Sequence, residues 1–119
     1  MSDDKPLLIA PSSLIPQVTM VRIYAETLDH VREHHGLEMG QIAPNLPSLT
    51  AAVVSAITNP THIENPRPGS YVFVDAESTN AAGDAIRAPT KIISGTSALL
   101  KTFYFASTTG ERNIVWRRT

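Results

Sequence analysis

His30 and His34 stand four residues apart, so on a helix both rings share one face. His35 adjoins them. Histidine titrates near neutral pH and can give or take a proton. Metal-independent RNA cleavage needs few groups beyond that. A base removes the 2′-hydroxyl proton, an acid protonates the leaving oxygen, and a cation steadies the phosphorane. The same spacing suits zinc in the helical His pair of metalloproteases, but there Glu directly follows the first His. Here Arg32 and Glu33 lie between the two histidines, and nothing nearby supplies a third ligand. The chain has no cysteine, which excludes thiolate catalysis, disulfides and cysteine-ligated metals. The expectation is no metal and no cofactor. The plainer alternative is that each histidine edges the core beside Leu28 and Val31.

The C-terminal strands carry the other candidates. In Leu100–Phe105, strict alternation puts Thr102 and Tyr104 on one face with Leu100, and Lys101, Phe103 and Phe105 on the other. Both hydroxyls can hydrogen-bond a phosphate, and a tyrosine ring can stack on a base. The alternative is that Tyr104 fills the core as an ordinary strand residue.

Charge placement sharpens this. Of 119 residues, 10 are basic and 11 acidic, a net charge of −1. That balance alone argues against a general nucleic-acid coat. Divided after residue 85, it becomes −6 and +5. Arg87, Lys91, Lys101, Arg112, Arg117 and Arg118 face Glu111 alone in the second part. A basic sheet with interleaved aromatics is an RNA platform. Arg87, Lys101, Arg112 and Arg117 are then the candidates that hold substrate phosphates.

The elements that must position these residues follow from pattern. Pro6, Pro11 and Pro16 recur every five residues and argue against regular helix or sheet in 1–17. We read 1–17 as a Pro-rich arm and 18–119 as one α+β domain. The arm's Leu7, Leu8, Ile9, Leu14 and Ile15 suit packing on the domain surface or on a second copy, which leaves room for a homodimer. Val18–Tyr24 reads as a strand and Thr27–Gly36 as a helix capped by Thr27 and ended by Gly36. Residues 37–47 read as a loop. In Ser48–Ile57, Leu49, Ala52, Val53, Ala56 and Ile57 form a helical stripe, stopped by Asn59-Pro60. His62–Glu64, Ser70–Asp75, Thr90–Ser94, Leu99–Ala106 and Asn113–Trp116 read as strands, with 66–69 and 108–111 as turns and 76–88 as a loop. The expected fold is α+β: one N-terminal strand and two helices packed on a four- to five-stranded antiparallel meander, with one sheet face partly open.

No segment offers the ~18 apolar residues of a membrane span. The N-terminus opens acidic and its short apolar run is broken by proline, unlike a signal peptide. The expectation is a cytoplasmic protein that does not enter a membrane.

Val21–His35, Val54–Ile63, Tyr71–Val74 and Leu100–Tyr104 together resemble the barnase–EndoU–colicin–RelE (BECR-like) group of small nucleases, most of all its phage-associated barnase-like branch. Members carry a strand, a helix with paired histidines, a helix ending in Asn-Pro, and a meander finishing in a Thr-x-Tyr strand. The resemblance covers roughly residues 18–107. It implies a metal-independent endoribonuclease, a toxin or phage effector, acting on tRNA or mRNA. An immunity or antitoxin protein would be in keeping as a partner. By position it implies His30, with His34 on the same face, as the acid or base. Lys91 becomes the strand cation that meets phosphate, and Thr102 and Tyr104 the terminal-strand pair. The competing reading is a non-catalytic small phage or bacterial protein that binds and inhibits a host protein. The near-neutral charge and apolar arm suit it.

Overall fold

The computed structural model describes residues 5–39, 45–79, 82–106 and 113–118. Side chains in the N-terminal segment alternate between inside and outside, and that alternation makes a strand of it. In β1 (Leu8–Ile15) Ala10, Ser12 and Ile15 are buried while Ile9, Pro11 and Ser13 are exposed. β1 pairs antiparallel with β2 (Val18–Ile23) around Pro16-Gln17, with Ala10 opposite Val21. The prolines expected to exclude sheet do not. Pro6 precedes the strand, Pro16 sits in the turn, and Pro11 lies on an edge strand beside a register shift, the places where a sheet tolerates proline.

Two helices follow. α1 (Ala25–Met39) starts before Thr27 and runs past Gly36. It buries Leu28 and Val31. α2 (Leu46–Thr58) begins at Asn45, whose side chain accepts from the Ser48 N–H at 2.9 Å in a capping box, and ends at Asn59 as its Asn-Pro boundary requires. It buries Leu49, Val53, Ala56 and Ile57.

The remaining strands are β3 (His62–Arg67), β4 (Ser70–Asp75), β5 (Ala85–Ser94), β6 (Ser97–Leu100), β7 (Tyr104–Ala106) and β8 (Ile114–Arg117). With β1 and β2 they form one eight-stranded sheet in the order β1-β2-β6-β5-β4-β3-β8, with β7 also beside β5. All pairs are antiparallel except β2 with β6.

This corrects the expected architecture. The fold is mostly β, a curled mixed sheet with two helices, and not one N-terminal strand and two helices on a four- to five-stranded meander. The cause is the β1–β2 hairpin, which joins the sheet by laying β2 parallel to β6. The connection from β2 to β3 then crosses most of the sheet's width, and α1 and α2 lie within that crossing. Their apolar stripes pack with Ile23, Ile63, Phe73, Ile86, Leu100 and Phe103 on one face, the core. Among the described residues, the opposite face carries a smaller buried apolar cluster of Val72, Val74 and Ala85. No helix among the described residues is long and apolar enough to cross a membrane.

One irregularity decides which side chains reach that open face. Thr90 pairs with Leu100 and Arg87 with Tyr104, so three residues, 101–103, oppose two on β5. This extra residue breaks the expected single strand Leu99–Ala106 in two and resets its alternation. Leu100 and Phe103 both point into the core, and Lys101 and Thr102 are both released to the other side.

Candidate anion-binding site on the open sheet face

Strand register lines up the open face. Arg117 of β8, His62 of β3, Val74 of β4, Arg87 of β5 and Tyr104 of β7 are successive partners across the sheet. The next row is Glu64, Val72 and Pro89. Glu64 is 2% exposed, and both of its carboxylate oxygens are engaged. His62 Nε2 donates to Oε2 at 3.0 Å, and Arg87 Nη2 donates to Oε1. A buried carboxylate survives only when paired in this way.

Around this network lies a pocket of about 390 Å³. Arg67, Arg87 and Lys101 supply its positive charge, and Thr102 and Tyr104 its hydroxyls. Glu64 is its carboxylate, and Pro66, Val72 and Pro89 complete the walls. The sequence places each group by a local device. Asn65 Nδ2 donates to the Arg67 and Ser70 carbonyls at 2.8 and 2.7 Å, pinning the β3–β4 hairpin from which Arg67 projects. Pro68-Gly69 closes that hairpin, with Gly69 at φ 79°, a region glycine enters freely. The Lys101 N–H bonds the Pro89 carbonyl at 2.8 Å and holds the bulge. Thr102 Oγ1 is buried and finds no partner among the described residues.

Other acids lie away from the pocket lining. Glu26, Asp29 and Glu33 are exposed on α1, which packs on the core face. Asp75 accepts from the backbone N–H groups of Glu77 and Ser78. Glu77 pairs with Arg118 at 2.8 Å.

Of the residues singled out from sequence, Arg87, Lys101, Thr102 and Tyr104 converge on this pocket. Lys91 lines a neighbouring one. Arg117 shares the open face and is exposed, but lines neither pocket. His30 and His34 do not join them. Both are exposed on α1, with ring centroids 4.4 Å apart. Arg112 and the 108–111 turn lie outside the described residues. Sequence reading missed His62, Glu64 and Arg67. The i, i+2 spacing of His62 and Glu64 within a strand was the available signal. Arg67 was hidden by a charge division that counted it with the acidic part.

No known protein family, curated protein or solved structure matches the chain.

Proposed function

We propose that the chain is a metal-independent endoribonuclease-like protein that acts on RNA in the open-face pocket. The observation that carries this reading is the convergence of Arg67, Arg87, Lys101, Thr102 and Tyr104 around the buried Glu64. Three cations and two hydroxyls in one cleft suit a phosphodiester. Tyr104, with Pro66 and Pro89 in the same lining, offers a surface for a base.

In this reading Arg87 exchanges partners. A phosphate draws its guanidinium, and Glu64 Oε1 is freed while His62 still holds Oε2. The freed oxygen takes the 2′-hydroxyl proton, and the 2′ oxygen attacks phosphorus. Arg87 and Lys101 balance the charge of the phosphorane. The Tyr104 hydroxyl gives a proton to the departing 5′ oxygen, and solvent water then relays the proton held by Glu64 back to Tyr104. The products are a 2′,3′-cyclic phosphate and a 5′-hydroxyl. His30 and His34 have no step in this scheme.

Purified protein incubated with total tRNA in EDTA tests it. Cleavage with 2′,3′-cyclic ends, lowered at least tenfold by Glu64→Gln in a folded variant, is expected. Intact RNA after prolonged incubation with wild type would sink the enzyme reading. RNA that is bound but not cut would leave a binding module on the same surface.

A further inference from the structure

A second pocket of about 340 Å³ adjoins the first. Lys91, Ser70 and the Pro68-Gly69 turn line it. Arg67 and Lys101 line both pockets and form the boundary between them. Its charge is wholly positive: Arg67, Lys91 and Lys101, with no carboxylate among its lining residues. Ser70 and Lys91 are direct partners across β4 and β5, so a hydroxyl and an ammonium share one row of the open face. The turn beneath is fixed by the Ile92 N–H, which donates to the Gly69 carbonyl at 2.8 Å.

Lys91 lies four residues along β5 from Arg87, about 13 Å in an extended strand. Arg87 lines the first pocket and Lys91 the second, so successive phosphates of one chain can meet each in turn. Arg67 and Lys101 then stand where the backbone passes from one pocket to the other. The walls of the first pocket bear on the conformation of that chain. Tyr104, Pro66, Pro89 and Val72 offer apolar surface to a base, which a base can meet only when unpaired. Resting on the reading of the first pocket as the site of cleavage, we infer that the second pocket binds a neighbouring phosphate of the same strand. The substrate is a single-stranded RNA segment of several nucleotides that runs along β5 from Arg87 to Lys91.

Calorimetric titration with 2′-O-methyl oligouridylates tests this, because they carry the phosphates but cannot be cleaved. Wild type should bind the six-residue oligomer at least tenfold more tightly than the two-residue one. Lys91→Gln, an exposed substitution, should collapse that preference several-fold. It should also lower the slope of log affinity against log salt by about 0.7 for the longer oligomer. If wild type binds both lengths but Lys91→Gln keeps the preference and the slope, the second subsite is refuted and the first pocket stands. If a six-base-pair duplex binds as tightly as the single strand, the unpaired substrate is refuted. If wild type binds neither oligomer, both readings fall together.

Discussion

Arg87 reaches over β4 to the carboxylate of Glu64, two strands away, and the pair closes over the small cluster of Val72 and Val74. Glu64 is almost fully enclosed and Arg87 nearly so, at 2% and 13% exposure. The pair is thus both the roof of a minor core and the floor of the candidate site. The arginine stem covers apolar surface while its head answers a buried charge.

Removing one partner should therefore cost more than removing both. Arg87→Met leaves Glu64 buried with only His62, and a loss of about 3–5 kcal/mol is expected. The double variant Glu64→Leu, Arg87→Met strands no carboxylate, takes from the buried His62 Nε2 its Glu64 acceptor, and should recover part of that stability. Urea unfolding of the four proteins of this cycle gives the coupling directly. A loss in the double variant equal to the sum of the two single losses would show that the pair adds nothing beyond packing.

β1 gives a second prediction, because it is part of the core sheet and not an arm. Ile15 is 5% exposed within the main cluster, and Ile9, on the other face of the same strand, is 49% exposed. Ile15→Ala should destabilise by about 2–5 kcal/mol. Ile9→Ala should stay within about 0.5 kcal/mol. Deleting residues 1–16 removes the whole strand and should abolish a cooperative thermal transition. A truncated protein that melts as sharply as the full chain would restore the arm.

Helix α2 and strand β4 were legible because each states its structure locally. The 3.6-residue stripe from Leu49 to Ile57 and the Asn-Pro stop need no tertiary partner, and Ser70–Asp75 has the composition of a buried strand. β1 was not legible for a physical reason. Proline opposes strand only where its N–H would be paired, and sequence does not reveal which strand lies at an edge. Thr102 and Tyr104 were recognised as a pair, but their faces were assigned by strict alternation. The bulge at 101–103 arises from how many residues β5 opposes to them, which no local pattern states. The site was half legible in the same sense. Its cations and hydroxyls carry chemistry in their types, whereas Glu64 becomes notable only once buried between His62 and Arg87.

The helix histidines separate two placements of the chemistry. His30 and His34 are exposed, with their rings tilted against each other, and neither is in the pocket lining. His30→Ala should change stability by less than about 0.5 kcal/mol. It should also leave RNA cleavage within about twofold of wild type, as measured under single-turnover conditions. A loss of a hundredfold or more would move the acid–base step to α1 and away from Glu64.

The N-cap of α2 gives a purely structural control. Asn45 accepts from the Ser48 N–H at 2.9 Å and is remote in sequence from every pocket residue. Asn45→Ala should cost about 1 kcal/mol. RNA affinity measured well below the melting transition should not change, so the variant calibrates how much of any activity loss is mere destabilisation.

Thr102 is the sharpest of these tests, because its structural and functional expectations have opposite signs. Its hydroxyl is buried in the pocket lining without a partner among the described residues, a state that is unfavourable for folding. Thr102→Val keeps the shape and removes the orphan oxygen, so stability should hold or rise by up to about 1 kcal/mol. If the hydroxyl waits for a phosphate, the same change should weaken RNA binding or raise KM about fivefold or more. Thr102→Ser, which keeps the oxygen and loses a methyl, should retain affinity while losing stability. A valine variant that is more stable and binds RNA as well as wild type would mean the orphan hydroxyl has no ligand to meet. A valine variant that is less stable would mean the hydroxyl is already satisfied in the free protein.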